Sequence, residues 1–399
     1  MEIIKRILRA IGEECILYKI IQHGVKPIEI KNAIIELFNP YFENKQILEK
    51  FSIEILVPEM INLLRLQVDN WLFIIFEEYY EVFKEAKRVD KNKCFESFAY
   101  WHHEIIDANS RFWSIHNLEL DKNNLPDSEM IFECFRNIGD IIEGLNKSYL
   151  KNLLCQLKIV NGTAQAFQDI GNIDLGEIVN QLIKLSKFQE LFSPPPLKIS
   201  INQWRNIAYH HDFKLVNDVI FLWYGKGKKR VELMIPKKDI LQIAGTIFNC
   251  FKLQKLAYTL FFVDNIEAIN KFLPNLDDSL RFESLFINIA SGIASQGFEI
   301  INLEQNPGEA KLIVKDLTDL NSNERCIHAS QFLYSLWLMT KAKKLIVEYR
   351  ENDGVPKVLF KINSDICEQI YRGGIEFPDM GEKMDIITLK GSENELRRD

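Results

Sequence analysis

The run Ser193-Pro194-Pro195-Pro196 divides this chain more sharply than any other feature of its sequence. Proline cannot continue a helix interior and pushes the residue before it toward extended geometry. Up to that stop the apolar residues recur at helical spacing. Ile3, Ile4, Ile7, Leu8 and Ile11 show it at the start, and Leu175, Ile178, Val179, Leu182 and Leu185 show it just before the prolines. Residues 55–86 predict one long or kinked apolar helix after Pro58, and 146–167 predict another. Beyond the prolines the period changes. Ser200 or Asn202 is placed to cap a helix through QWRNIAYHH. VNDVIFLWYGKGKKRVELMIP (216–236) then reads as two strands joined at Gly225-Lys226-Gly227, with a helix from Lys238.

Past about residue 265 helical and strand patterns alternate. RFESLFINIASGIA and ERCIHASQFLYSLWLMTKA read as helices. FEIINL pairs with AKLIVKDL through QNPGE, and KLIVEY with VPKVLFKI through Asn352-Asp353-Gly354; the tail GSENELRRD is expected to fray. The expected fold class is mainly α with α+β portions. Residues 1–170 form a helical N-terminal region, 171–265 hold a helical bundle segment followed by a β-hairpin, and 266–399 make a small α+β domain.

A chain of 399 residues, 47% hydrophobic and 26% charged, buries a real core, which excludes wholesale disorder. Its net charge of -7 is wrong for a constitutive duplex binder, so any nucleic-acid contact has to come from a local basic patch. The seven cysteines (15, 94, 134, 155, 250, 326 and 367) never form a C-x-x-C pair, which argues against a disulfide framework and a thiolate zinc site. MEIIKRILRAIGEECILYKII lacks a signal-peptide layout, and WLFIIF (71–76) and LFFV (260–263) are far short of a membrane span. The expected location is the cytoplasm, with no membrane contact.

The densest chemistry lies in QWRNIAYHHDF, residues 203–213. On a helix at about 100° per residue, Trp204, Ile207, Ala208 and His211 share an apolar stripe. Asn206 and His210 stack on a second stripe, and Arg205 and Tyr209 on a third. His210 is therefore the candidate reagent, with Asn206 as the neighbour that would fix its ring, and His211 is assigned to packing. Arg205 and His210 diverge by about 140° on one helix. They could still converge on one phosphate if two such helices met across a two-fold interface. An imidazole can move a proton at a ribose hydroxyl while a guanidinium braces the phosphate, with no metal needed.

Arg205-Asn206, three residues and His210, followed by Asp212-Phe213 and strands, resembles the motif of the HEPN superfamily, the helical prokaryotic and eukaryotic nucleotide-binding proteins. The resemblance covers about 175–250. It implies a metal-independent endoribonuclease that works by 2′-hydroxyl attack, leaves 2′,3′-cyclic phosphate and needs no cofactor. It also implies a homodimer with a composite site, acting as a toxin or anti-phage effector, with an antitoxin or defence partner. Arg205 and His210 would be catalytic and Asn206 supporting, and Tyr209 and His211 lie beside them. The alternative is a HEPN-like module that binds a nucleotide or a partner without catalysis.

Other candidates are weighed against plain structural readings. Lys226, Lys228, Lys229, Arg230, Lys237 and Lys238, broken by Glu232, could guide an RNA backbone, with Trp223 and Tyr224 for stacking; the bland reading is a solvated turn. Arg111-Phe-Trp-Ser-Ile-His116 repeats the spacing, but Phe112 replaces the polar neighbour and the segment reads as core and rim. WHHEIID (101–107) places His103 and Asp107 on one face without H-E-x-x-H, so helix residues are the better reading and no metal is assigned. Cys326 and His328 point to different faces of a helix, and Gly225, Gly227, Gly373 and Gly374 fit no phosphate loop.

Overall fold

A computed structural model describes residues 21–389 apart from 22, 53–54, 117–125, 226, 274–288 and 291, and gives the backbone alone at 110–116 and 228. The predicted helix at 3–11, the first part of RFESLFINIASGIA, the side chains of Arg111 and His116, and the tail therefore lie outside the described residues.

A mostly helical N-terminal region with a three-stranded antiparallel sheet is followed by a mixed five-stranded sheet with helices. In chain order the helices are α1 (Pro27–Phe38), α2 (Lys45–Phe51), α3 (Leu56–Val68), α4 (Asn70–Val89), α5 (Lys91–His116), α6 (Asp127–Asp140), α7 (Lys147–Val160), α8 (Phe167–Gly171), α9 (Leu175–Leu185) and α10 (Ile201–His210). Strands β1 (Phe213–Val216), β2 (Val219–Tyr224) and β3 (Val231–Pro236) come next, then α11 (Ile240–Asp264) and a short α12 (Ile266–Ile269). The remainder is β4 (Phe298–Asn306), β5 (Glu309–Asp316), α13 (Ser322–Ser330), α14 (Phe332–Thr340), β6 (Lys344–Arg350), β7 (Pro356–Asn363), α15 (Ser364–Tyr371) and β8 (Asp385–Thr388). Two compact units result, one from 39–48 and 59–280, the other from the described residues of 1–38, 49–58 and 281–399. Residues 59–170 and 171–265 thus share one unit.

The helical unit is built around α7, which is buried from Ser148 to Ile159 on every face. A helix surrounded this way must satisfy its polar side chains internally. The Ser97 hydroxyl and the Gln156 amide both donate to Asn152 Oδ1, at 2.9 and 3.3 Å. The Trp101 indole donates to Cys155 Sγ at 3.2 Å. Around this column α4 turns Leu72, Ile75, Phe76, Tyr79, Tyr80 and Phe83 inward at helical spacing.

Two helix boundaries depart from the sequence reading. The single helix expected at 55–86 is two, α3 and α4, because Asp69 takes an extended conformation (φ -105°, ψ 91°) between them. Pro58 falls in the first turn of α3, where its missing N–H has no intrahelical partner to lose. The helix expected at 146–167 starts far earlier and stops sooner. Residues 127–160 are helical throughout, with a π-helical turn at Ile141–Asn146 joining α6 to α7, and the rod ends before the Asn161-Gly162 turn.

WHHEIID lies on α5 as a packing element. His102 Nδ1 meets the Tyr258 hydroxyl at 2.9 Å and its ring stacks on Phe262 at 4.3 Å, while Glu104 pairs with Lys151 at 3.2 Å. Among the described residues no group of three His, Cys, Asp or Glu is placed to hold a metal ion. No helix among them is long and apolar enough to cross a membrane.

In the second unit the strands run in sequence order, β5 and β6 parallel and the other neighbours antiparallel. Helices α13 and α14 make the crossover that a parallel pair requires. The expected hairpin partners pair as predicted, but ERCIHASQFLYSLWLMTKA is two helices, and α15 and β8 are additional. Arg325, 5% exposed, donates to Asp316 through Nε and Nη2, both at 3.0 Å, and lies 3.7 Å over the Phe298 ring. Thr318 and Tyr349 also donate to Asp316, so the carboxylate is fully engaged. His328 Nε2 meets Gln296 Oε1; burial, then Arg325, lowers its pKa to about 4. Burial pushes the Cys326 thiol up to about 11, the opposite of an activated nucleophile.

Candidate functional site

Helix α10 starts five residues after Pro196. Ser200 takes the extended N-cap conformation expected of it, yet its hydroxyl donates to Asn202 Oδ1 at 2.6 Å instead of capping a backbone N–H. Of the stripe read from the sequence, Trp204, Ile207 and Ala208 are buried, as is Ile201 one turn before them. Trp204 is 1% exposed and faces Phe135 of α6 at 6.5 Å. That burial anchors the helix, at roughly 1.5–3 kcal/mol per large apolar side chain.

The stripe ends at Ala208, one member short of the prediction. His211 leaves the helix in the left-handed region (φ 54°, ψ 38°), where its N–H and that of Asp212 both reach the Ile207 carbonyl. This is an αL helix stop, built on a histidine where glycine is usual. His211 is therefore exposed instead of sharing the Trp204 stripe, and its ring stacks on Phe132 at 5.1 Å.

Arg205 and Tyr209 do share a face. The guanidinium lies 5.2 Å over the tyrosine ring. Its Nε donates to Glu143 Oε2 at 3.1 Å and its Nη1 to Asn206 Oδ1 at 3.2 Å. The Tyr209 hydroxyl donates to Asp140 Oδ1 at 3.1 Å; burial, then that carboxylate, raises its pKa to about 12. Although burial works against it, Lys147 and Arg205 hold the Glu143 carboxyl below its ordinary value. The expected pairing of Asn206 with His210 is not made, because the amide oxygen is turned to Arg205. His210 is exposed and has no hydrogen-bond partner among the described residues.

Asp140 and Glu143 escaped the sequence reading. They flank the start of the π-turn, which runs antiparallel to α10, so that 143 meets 205 and 140 meets 209. Their only mark in the sequence is an acidic pair three apart in a stretch whose period is broken.

The sheet is tied to the end of α10 by Asp212. Its side chain accepts from the Trp223 indole at 2.7 Å and its carbonyl from the Trp223 N–H at 3.0 Å. The predicted pair of strands holds as β2 and β3, and β1 adds a third through a turn at Asn217. Gly225 sits at φ 85° with the Lys229 carbonyl 2.4 Å from where a Cβ would be, so only glycine fits. Arg230 covers the Trp223 ring at 5.4 Å and pairs with Glu232 at 3.1 Å. Lys229 and Lys238 are exposed, whereas Lys237 is held by Asp127 at 2.6 Å and Asp218 at 3.0 Å. Lys226 and the side chain of Lys228 lie outside the described residues. A hollow of about 350 Å³ bounded by Lys93, Glu96, Cys155, Ile159 and Phe167 includes none of the motif side chains.

Fold and site together define a helical protein that presents an Arg-Asn…His helix beside a small antiparallel sheet. Comparison with known protein families, with curated proteins and with solved structures finds no match.

Proposed function

We propose that this protein is a metal-independent endoribonuclease of the HEPN type, a homodimer acting as a toxin or anti-phage effector. One observation carries the reading: a single anchored helix presents a prearranged arginine and an exposed histidine that has no hydrogen-bond partner among the described residues. His210 acts as the general base or acid at the ribose 2′-hydroxyl, and Arg205 braces the phosphate as charge develops. The attack forms the 2′,3′-cyclic phosphate and expels the 5′-oxygen, so no water or metal enters the first step. Asn206 works on the guanidinium, in keeping with its bond to Arg205. The second copy brings an Arg205 to the His210 that one helix turns away from it. Lys229 and Arg230, with the covered ring of Trp223, form the RNA-facing edge, to which the turn carrying Lys226 and Lys228 belongs by sequence.

The alternative, a binding module without catalysis, is favoured by the carboxylates of Asp140 and Glu143 beside the motif, which repel a phosphate backbone. Incubation with total RNA in EDTA separates the two. Cleavage leaving 2′,3′-cyclic phosphate ends and abolished by His210→Ala supports the enzyme; intact RNA with every RNA class tried supports the module.

A further inference from the structure

We infer that Glu143, carried on the π-turn of 141–146, is a positioning residue for Arg205 that presents the outer edge of the guanidinium to a phosphate. The inference rests on the endoribonuclease reading above.

Both carboxylate oxygens of Glu143 are used: Oε2 takes Arg205 Nε at 3.1 Å and Oε1 takes Lys147 Nζ at 2.6 Å. The second bond fixes the carboxylate before the arginine meets it. Lys147 is also the first residue of α7, so the clamp is tied to the central helix of the unit. On Arg205, Nε is held by Glu143, Nη1 by Asn206, and one face of the plane by the Tyr209 ring. Nη2 has no partner among the described residues, and the side chain is 32% exposed. A planar fork restrained on its Nε side in this way has one edge left to offer, the pair of terminal nitrogens, which matches two phosphate oxygens. The ring of Tyr209 is itself held by Asp140, so the two carboxylates brace the arginine from below and from the side.

Asp140 and Glu143 stand three apart, so both reach the face that α10 presents through Arg205 and Tyr209. Glu143 lies within the π-turn of 141–146, a departure from regular helix that is frequent at functional sites. The charge of Glu143 also offsets that of Arg205 while the substrate is bound in its ground state. Geometry is kept and resting attraction for phosphate is reduced, so the clamp acts on turnover more than on binding.

Steady-state cleavage of a fluorescent single-stranded RNA of mixed sequence, in EDTA, tests this with Glu143→Gln, Arg205→Lys and the double variant. Glu143→Gln is nearly isosteric and partly exposed, so folding is checked by circular dichroism and thermal midpoint. The expected result is a kcat at least tenfold below wild type with KM unchanged or lower, and no additional loss in the Arg205→Lys background. Should Glu143→Gln be poorly folded, Lys147→Met is used, with a several-fold fall in kcat expected and the same non-additivity with Arg205→Lys. A wild-type kcat in the folded variants, or effects that simply multiply with those of Arg205→Lys, overturns the inference alone. Absence of cleavage by the wild-type protein overturns the endoribonuclease reading as well.

Discussion

Replacing Gly139 with valine is expected to destabilise the protein by about 2–3 kcal/mol, the upper part of the range for overpacking a tight contact. At Gly139 α6 and α10 approach closely. A Cβ there stands 3.1 Å from Ala208 Cβ and 3.1 Å from Tyr209 Cε1. Carbon atoms pack at about 3.5–4.0 Å, so the shortfall is roughly half an ångström. Ala208 Cβ is fixed to its helix backbone and cannot rotate aside, which leaves α10 to move. Alanine gains about 0.8–1 kcal/mol of helix propensity over glycine. That offsets much of the strain, so Gly139→Ala is expected to lie within about 1 kcal/mol of wild type. Valine adds two methyl groups at the contact and a β-branch, and the strain wins. The bonds of Tyr209 to Asp140 and of Arg205 to Glu143 span the same helix pair and lengthen with it. Urea denaturation followed by far-ultraviolet circular dichroism reads the stability, and RNA cleavage reads the motif. A Gly139→Val protein with the wild-type urea midpoint refutes the argument that this approach is tight.

Three more outcomes follow from named contacts. Asp316→Asn leaves Arg325 buried without its charge partner and is expected to cost about 3–5 kcal/mol in denaturant unfolding; a loss below about 1 kcal/mol refutes the reading. His328 titrates near 6.5 when unfolded and about 4 when folded, so the unfolded chain binds the extra proton between those values. Its contribution is complete above pH 6.5 and is lost as pH falls toward 4, up to about 3 kcal/mol. His328→Gln should flatten that part of the stability curve, and an unchanged slope argues against it. His211→Gly relieves the left-handed backbone but gives up the Phe132 stack; stability within about 1 kcal/mol of wild type and retained cleavage are expected, in contrast to His210→Ala. Loss of cleavage in both variants would show that the two histidines do not divide as packing and reagent.

Much of the architecture can be read from local pattern. The spacing of Leu175, Ile178, Val179 and Leu182 marks α9, and Asp174 caps it through the Glu177 N–H, because a helix's own geometry decides which residues share a face. Asn352-Asp353-Gly354 closes its hairpin with Gly354 at φ 84°, a conformation that few other residues adopt. Trp204, Ile207 and Ala208 are buried together for the same periodic reason. Position 211 escaped that rule because the helix had already ended, one residue before its fourth stripe member.

The arrangement around Arg205 could not be read this way. Glu143 lies 62 residues before it, and the amide of Asn206, expected on His210, bonds Arg205 instead. The choice fell to packing: α6 and α10 approach closely at Gly139, and Glu143 and Asn206 both bond the guanidinium. Residues three or four apart are bound by covalent geometry to meet or to diverge, so their relation is written in the chain. Groups on separate helices meet only where buried side chains bring those helices together, and that depends on the whole core at once.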